Sequence, residues 1–131
     1  GDTVFGDHEE MIERVPHLLA STERAIVAAA IHPVVLAARF HGFYEYLHSF
    51  RDGNGRTGRL VSNYILLRCA HPLIIIPSDC RQEYISSLKK IRTEATDEHL
   101  IRFFFKMAVQ RMKGEIEQKE TNTQRFRTFV F

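Results

Sequence analysis

Apolar residues recur at three- and four-residue spacings through most of this chain, interrupted only by short breaks that carry proline or glycine. That period belongs to helices with one buried face, and no convincing stretch alternates apolar with polar residues as a half-buried strand would. The predicted class is all-α. Met11, Ile12, Val15, Leu18 and Leu19 predict a helix from Glu9, kinked at Pro16 or split there into two, and Ser21 is a weak candidate cap for the next helix. Pro33 is placed to open a helix to about Leu47, with Leu36, Phe40, Phe43 and Leu47 on one face. After Asp52-Gly53-Asn54-Gly55, the residues Leu60, Tyr64 and Leu67 mark another helix that ends near His71-Pro72. A turn at 76–79 precedes a short helix (Tyr84, Ile85, Leu88, Ile91) and a longer one (Leu100, Phe103, Phe104, Met107, Met112). Residues 1–8 suit a loop or a short strand, and the tail 114–131 reads as a fraying helix that docks a few aromatics locally.

Size and charge narrow the function classes. A chain of 131 residues with 44% hydrophobic content is one domain's worth and can bury a core unaided. Eighteen basic against 16 acidic residues leave a formal charge of +2, so nothing in the balance supports binding to nucleic acid or a membrane surface. Cys69 and Cys80 do not make a disulfide framework, which favours a reducing compartment. The longest apolar runs fall far short of the ~20 residues of a membrane helix. A cytoplasmic location is expected, with secretion as part of a longer chain as the alternative.

The chemistry is concentrated in the twelve residues His48-Ser49-Phe50-Arg51-Asp52-Gly53-Asn54-Gly55-Arg56-Thr57-Gly58-Arg59. A glycine turn running into a helix start exposes backbone N–H groups at the positive end of a helix dipole, which is an anion cradle. Arg56 and Arg59, three residues apart on the first turn, share a face and offer forked donors to phosphate oxygens. Asp52 places a carboxylate beside the cradle, where Mg²⁺ could stand between it and phosphate. His48 ends the preceding helix and, with a reference pKa of ~6.5, can accept a proton at neutral pH. By composition alone the same residues fit an ordinary interhelical turn with solvated arginines about equally well. His41, seven residues before His48, suggests packing or support of the site more than a zinc pair, because a third ligand is missing.

The segment resembles the signature H-x-F-x-[DE]-G-N-G-R-x-x-R of the Fic family and matches all eight specified positions. At ~5% usage per residue type, such a match arises by chance roughly once in 10¹⁰ start sites. The similarity extends to His32-Pro33, Ala37-Ala38, His41, Asn63, Leu66-Leu67 and Tyr84, covering about residues 4–105. It implies a Fic-type helical bundle with a short β-hairpin flap, for which residues 1–8 would be a remnant, and an enzyme that moves AMP from Mg·ATP to a Ser, Thr or Tyr hydroxyl of a target protein. His48 would be the general base, Phe50 a structural anchor and Asp52 the Mg²⁺ ligand. Gly53, Asn54 and Gly55 would cradle phosphate, Arg56 would neutralise the β-phosphate and Arg59 the γ-phosphate, and Asn63 and Tyr84 would line the adenine pocket. Related transfers of UMP, phosphocholine or phosphate, or a non-catalytic nucleotide-binding docking module, are the alternatives. Two features depart from the family pattern. Ser49 stands where many members have proline, and no stretch fits the inhibitory pattern [ST]-x-x-x-E-[GN], so an inhibitory helix would lie upstream of Gly1 or belong to a separate antitoxin-like partner, or the enzyme is not regulated in this way.

Overall fold

The computed structural model describes residues 8–47 and 54–130, and every regular element among them is helical. In order they are α1 (His8–Ala28), α2 (Pro33–Leu47), α3 (Asn54–Arg68), α4 (Arg81–Thr93) and α5 (Glu98–Val130), with a short 3₁₀ turn at Ser78–Cys80 before α4. The all-α expectation is met. The expected flap at 1–8 lies outside the described residues except for His8, which already belongs to α1.

Helix α2 is the centre of the bundle and packs against α1, α3, α4 and α5. His32 starts it: its Nδ1 accepts the Val34 N–H at 3.2 Å, an imidazole standing where a Ser or Asp cap is usual, while Pro33 occupies the first turn. Val34, Ala37, Ala38, Phe40 and Tyr44 bury themselves in one cluster with Leu66 of α3 and Leu100, Phe103, Phe104 and Met107 of α5. The two alanines let α3 approach closely, and Ser62 Oγ spans the gap, 2.7 Å from the Gly58 carbonyl and 3.3 Å from that of Ala37. Helices α1, α3 and α4 are each followed by an alanine at positive φ (Ala29, Ala70, Ala95), the left-handed stop that glycine usually supplies.

Three local expectations need correcting. Of the two alternatives at Pro16 the single helix holds, and because α1 runs on to Ala28, Ser21 is an interior residue of it and caps nothing. The face of α3 read as buried is the exposed one: Leu60, Tyr64 and Leu67 are 72%, 51% and 65% accessible, while Gly58, Ser62, Ile65 and Leu66 turn inward. The tail is a continuation of α5 through Gly114, and residues 113–128 are all exposed; Phe126 does not dock. No core neighbour offers it a surface, so helical propensity and i,i+4 pairs such as Arg111 with Glu115 sustain this stretch.

Candidate active site

Helices α2, α3 and α4 converge on a cleft of about 500 Å³ at the N-terminal end of α3. Its polar wall comprises Glu45 from α2, Gly55 and Arg59 from α3, and Arg81 and Tyr84 from α4. The apolar floor, Ile85 and Leu88, continues into a smaller hollow of about 160 Å³ beside Gly42, Tyr46 and Arg92. There Arg92 is fixed by donating to the Tyr46 carbonyl at 2.6 Å and stacking on its ring at 4.6 Å. The whole is an elongated groove, cationic near the helix start and apolar along its base.

Glycine at two positions makes this geometry possible. A Cβ on Gly58 would lie 2.7 Å from Nδ1 and 2.9 Å from Cε1 of His41, a ring held rigidly in the core, so only glycine lets α3 seat against it. A Cβ on Gly55 would come within 3.2 Å of Arg59 Nη1 and 3.4 Å of Glu45 Oε1, filling the space at the first turn that a ligand would use. The first turns of α3 are thus free of side-chain bulk on the side that faces Glu45 and His41.

Behind the cleft, His41 is fully buried, and its Nε2 lies 2.6 Å from the Tyr84 hydroxyl. Burial lowers the His41 pKa to about 4, with the Gly58 backbone pulling the other way and the Arg59 charge adding to the depression. His41 is therefore neutral at pH 7. Its Nδ1 meets no partner in good hydrogen-bond geometry although the Gly58 backbone lies alongside. Burial likewise pushes the Tyr84 hydroxyl up to about 12, aided by the Glu45 carboxylate and opposed by Arg59. Glu45 Oε1 is also buried without a partner, and desolvation raises that carboxyl above its ordinary value while Arg59 draws it down.

Of the residues singled out from sequence, Gly55, Arg59 and Tyr84 meet in this cleft. Asn54 begins α3, and Arg56 lies exposed on its first turn. Asn63 does not line the cleft; its side chain clamps the backbone of Ile74, donating from Nδ2 at 3.0 Å and accepting at Oδ1 at 2.9 Å. That clamp holds the 71–77 connection, whose end supplies Ile76 and Pro77 to the cleft wall. His48, Phe50, Asp52 and Gly53 lie outside the described residues. Sequence reasoning missed Glu45, Gly58 and Arg81. The signal for Glu45 was present in the sequence, where it falls four residues after His41 and three before His48, a helical spacing.

Magnesium binds through one or two carboxylates and completes its shell with phosphate and water, so it does not require a cage of protein ligands. Among the described residues no group of three His, Cys, Asp or Glu gathers. Among the described residues the cleft offers a glycine-opened helix start with Arg59 and Arg81 beside it, and a single carboxylate, that of Glu45.

The described elements form a helical bundle with a cleft at the start of α3, and comparison with known proteins gives its family. The profile described as Fic/DOC family matches residues 1–66, and the chain belongs to that family. Among curated proteins it is similar to the Protein adenylyltransferase Fic of Drosophila grimshawi, 39% identical over 84 residues, and to that of Drosophila melanogaster, 38% identical over the same length. Each match covers 64% of this chain but only 17% and 16% of the relative, so the chain spans about a sixth of those proteins. Two solved structures share the fold. A Fic domain containing signaling protein from Bacteroides thetaiotaomicron superimposes with TM-score 0.75 at 25% identity, over 81% of this chain and 44% of the other. Fic-1 from C. elegans gives 0.71 at 28% identity, over 85% and 33%. No helix among the described residues is long and apolar enough to cross a membrane.

Proposed function

We propose that this chain is the catalytic core of a protein adenylyltransferase, transferring AMP from Mg·ATP to a Ser, Thr or Tyr hydroxyl of a target protein. The observation that carries the reading is the placement of Arg59 on the cleft wall beside the side-chain-free Gly55, at the start of the helix that the signature motif opens. The names of the Drosophila relatives support AMP as the transferred group.

In this reading the first-turn amides of α3 and the glycine backbone receive the phosphate oxygens, and Arg56 and Arg59 stand at the β- and γ-phosphates. Magnesium, held by Asp52, would supply charge neutralisation between the phosphates. His48 takes the proton from the incoming hydroxyl as its oxygen attacks the α-phosphorus, and the bond to the pyrophosphate oxygen breaks. Charge then grows on the departing pyrophosphate, where the two guanidinium groups bind the transition state more tightly than ground-state ATP. The apolar groove along Ile85 and Leu88 offers the base a dry surface.

The test is incubation with α-labelled ATP, Mg²⁺ and candidate target proteins. Label should appear on protein, and His48→Ala should abolish it while Mg·ATP binding persists. Label that survives His48→Ala removes the histidine from its role, and label from UTP, or from γ-labelled ATP alone, would reassign the transfer. Tight nucleotide binding with no turnover on any target would favour a docking module.

A further inference from the structure

Tyr84 is buried to 6% accessibility, yet its hydroxyl sits at the cleft, 2.6 Å from His41 Nε2 and 3.5 Å from Arg59 Nη1. A guanidinium can only donate, so in the second contact the tyrosine oxygen accepts. Its own proton then has one taker, His41 Nε2, which assigns the histidine proton to Nδ1 on the side facing Gly58. The Arg59 contact is long for a hydrogen bond. The face of the same ring adds a second hold, with Arg59 Cζ 5.8 Å from its centroid. His41 cannot shift to release the tyrosine, because it is packed between Gly58, Phe104 and Tyr84.

We infer that Tyr84, braced by His41, is a positioning residue that holds the Arg59 guanidinium toward the terminal phosphate of a bound nucleotide, and is not chiefly a wall of the base pocket. The inference rests on the nucleotide-binding reading above and gives the motif arginine a partner from α4, a helix remote from the motif in sequence. Its logic is preorganisation: an arginine already oriented loses less side-chain freedom when phosphate arrives. Only a ligand with a phosphate at Arg59 should sense the tyrosine hydroxyl.

The experiment compares Mg·ATP with Mg·ADP by calorimetry on the wild-type chain, Tyr84→Phe, Arg59→Gln and the double variant, with thermal melts in parallel. Tyr84→Phe keeps the ring and removes the hydroxyl, and should weaken ATP roughly fivefold, the worth of one ordinary hydrogen bond, while leaving ADP unchanged. Arg59→Gln should weaken ATP more, and the double variant no further than Arg59→Gln, because the hydroxyl acts through the guanidinium. Equal losses for ATP and ADP would mean a base-contacting or merely structural tyrosine and overturn the inference. So would full additivity of the two losses, or no loss at all. A wild-type chain without affinity for either nucleotide would overturn the nucleotide reading and this inference together, a result visible before any variant is made.

Discussion

Helix α2 ends just before the signature and α3 begins inside it; both have 15 residues and they lie against each other, yet they bury themselves by opposite means. Helix α2 is enclosed on most sides and fills its surroundings with Val34, Leu36, Phe40 and Tyr44. Helix α3 turns Gly58 and Ser62 inward with Ile65 and Leu66 and leaves Leu60, Tyr64 and Leu67 to solvent. The close approach demanded by His41 and Ala37 selects the face of α3, and hydrophobicity does not. That same rotation brings Arg59 to the cleft.

The sharpest way to break this contrast is a pair of truncations at adjacent positions. Leu66→Ala removes a fully buried side chain and should cost about 2–5 kcal/mol, whereas Leu67→Ala, on the outward face, should stay within about 0.5 kcal/mol. Urea denaturation of both variants measures the difference, and equal costs would mean that the helix is rotated from the orientation described.

Acidification tests the brace between the helices. His41 has a folded pKa of about 4 against an ordinary value of 6.5, so below 6.5 the unfolded chain takes up a proton that the folded chain refuses. The stability contributed at neutral pH should be lost as pH falls from about 6.5 towards 4, by an amount on the order of 3 kcal/mol, because a tenfold change in proton affinity is worth about 1.4 kcal/mol. Melting temperature against pH should show the loss, and His41→Asn should flatten that segment of the curve.

A smaller effect is expected of Gly58→Ala. In an ordinary helix interior the change favours folding by up to about 1 kcal/mol. Here the new methyl meets the His41 ring, and the net result should be a destabilisation of about 1–3 kcal/mol. Denaturant titration gives the sign, and a stabilised variant would show that the two helices can part without penalty.

How much of this could be read in advance differed between elements. The bounds of α2 followed from Pro33 and the apolar spacing, because local signals and tertiary burial agree there. For α3 the existence was legible and the buried face was not: a stripe of large apolar residues outweighs Gly58 and Ser62 on any hydrophobic scale, though the small pair is what permits contact. The run of α5 past Gly114 was obscured by a composition with no core-facing stripe. At the site, the motif announced Gly55 and Arg59, while the links from Tyr84 to Arg59 and to His41 required residues 25 and 43 positions apart to meet, which periodicity cannot foresee.

Asn63 stands one turn beyond Arg59 on α3 and grips the Ile74 backbone from both sides. Arg59 and the connecting segment that brings Ile76 and Pro77 to the cleft are therefore tied to the same helix. A displacement of α3 would carry two separate portions of the lining with it, one from the helix itself and one from a stretch well beyond its end.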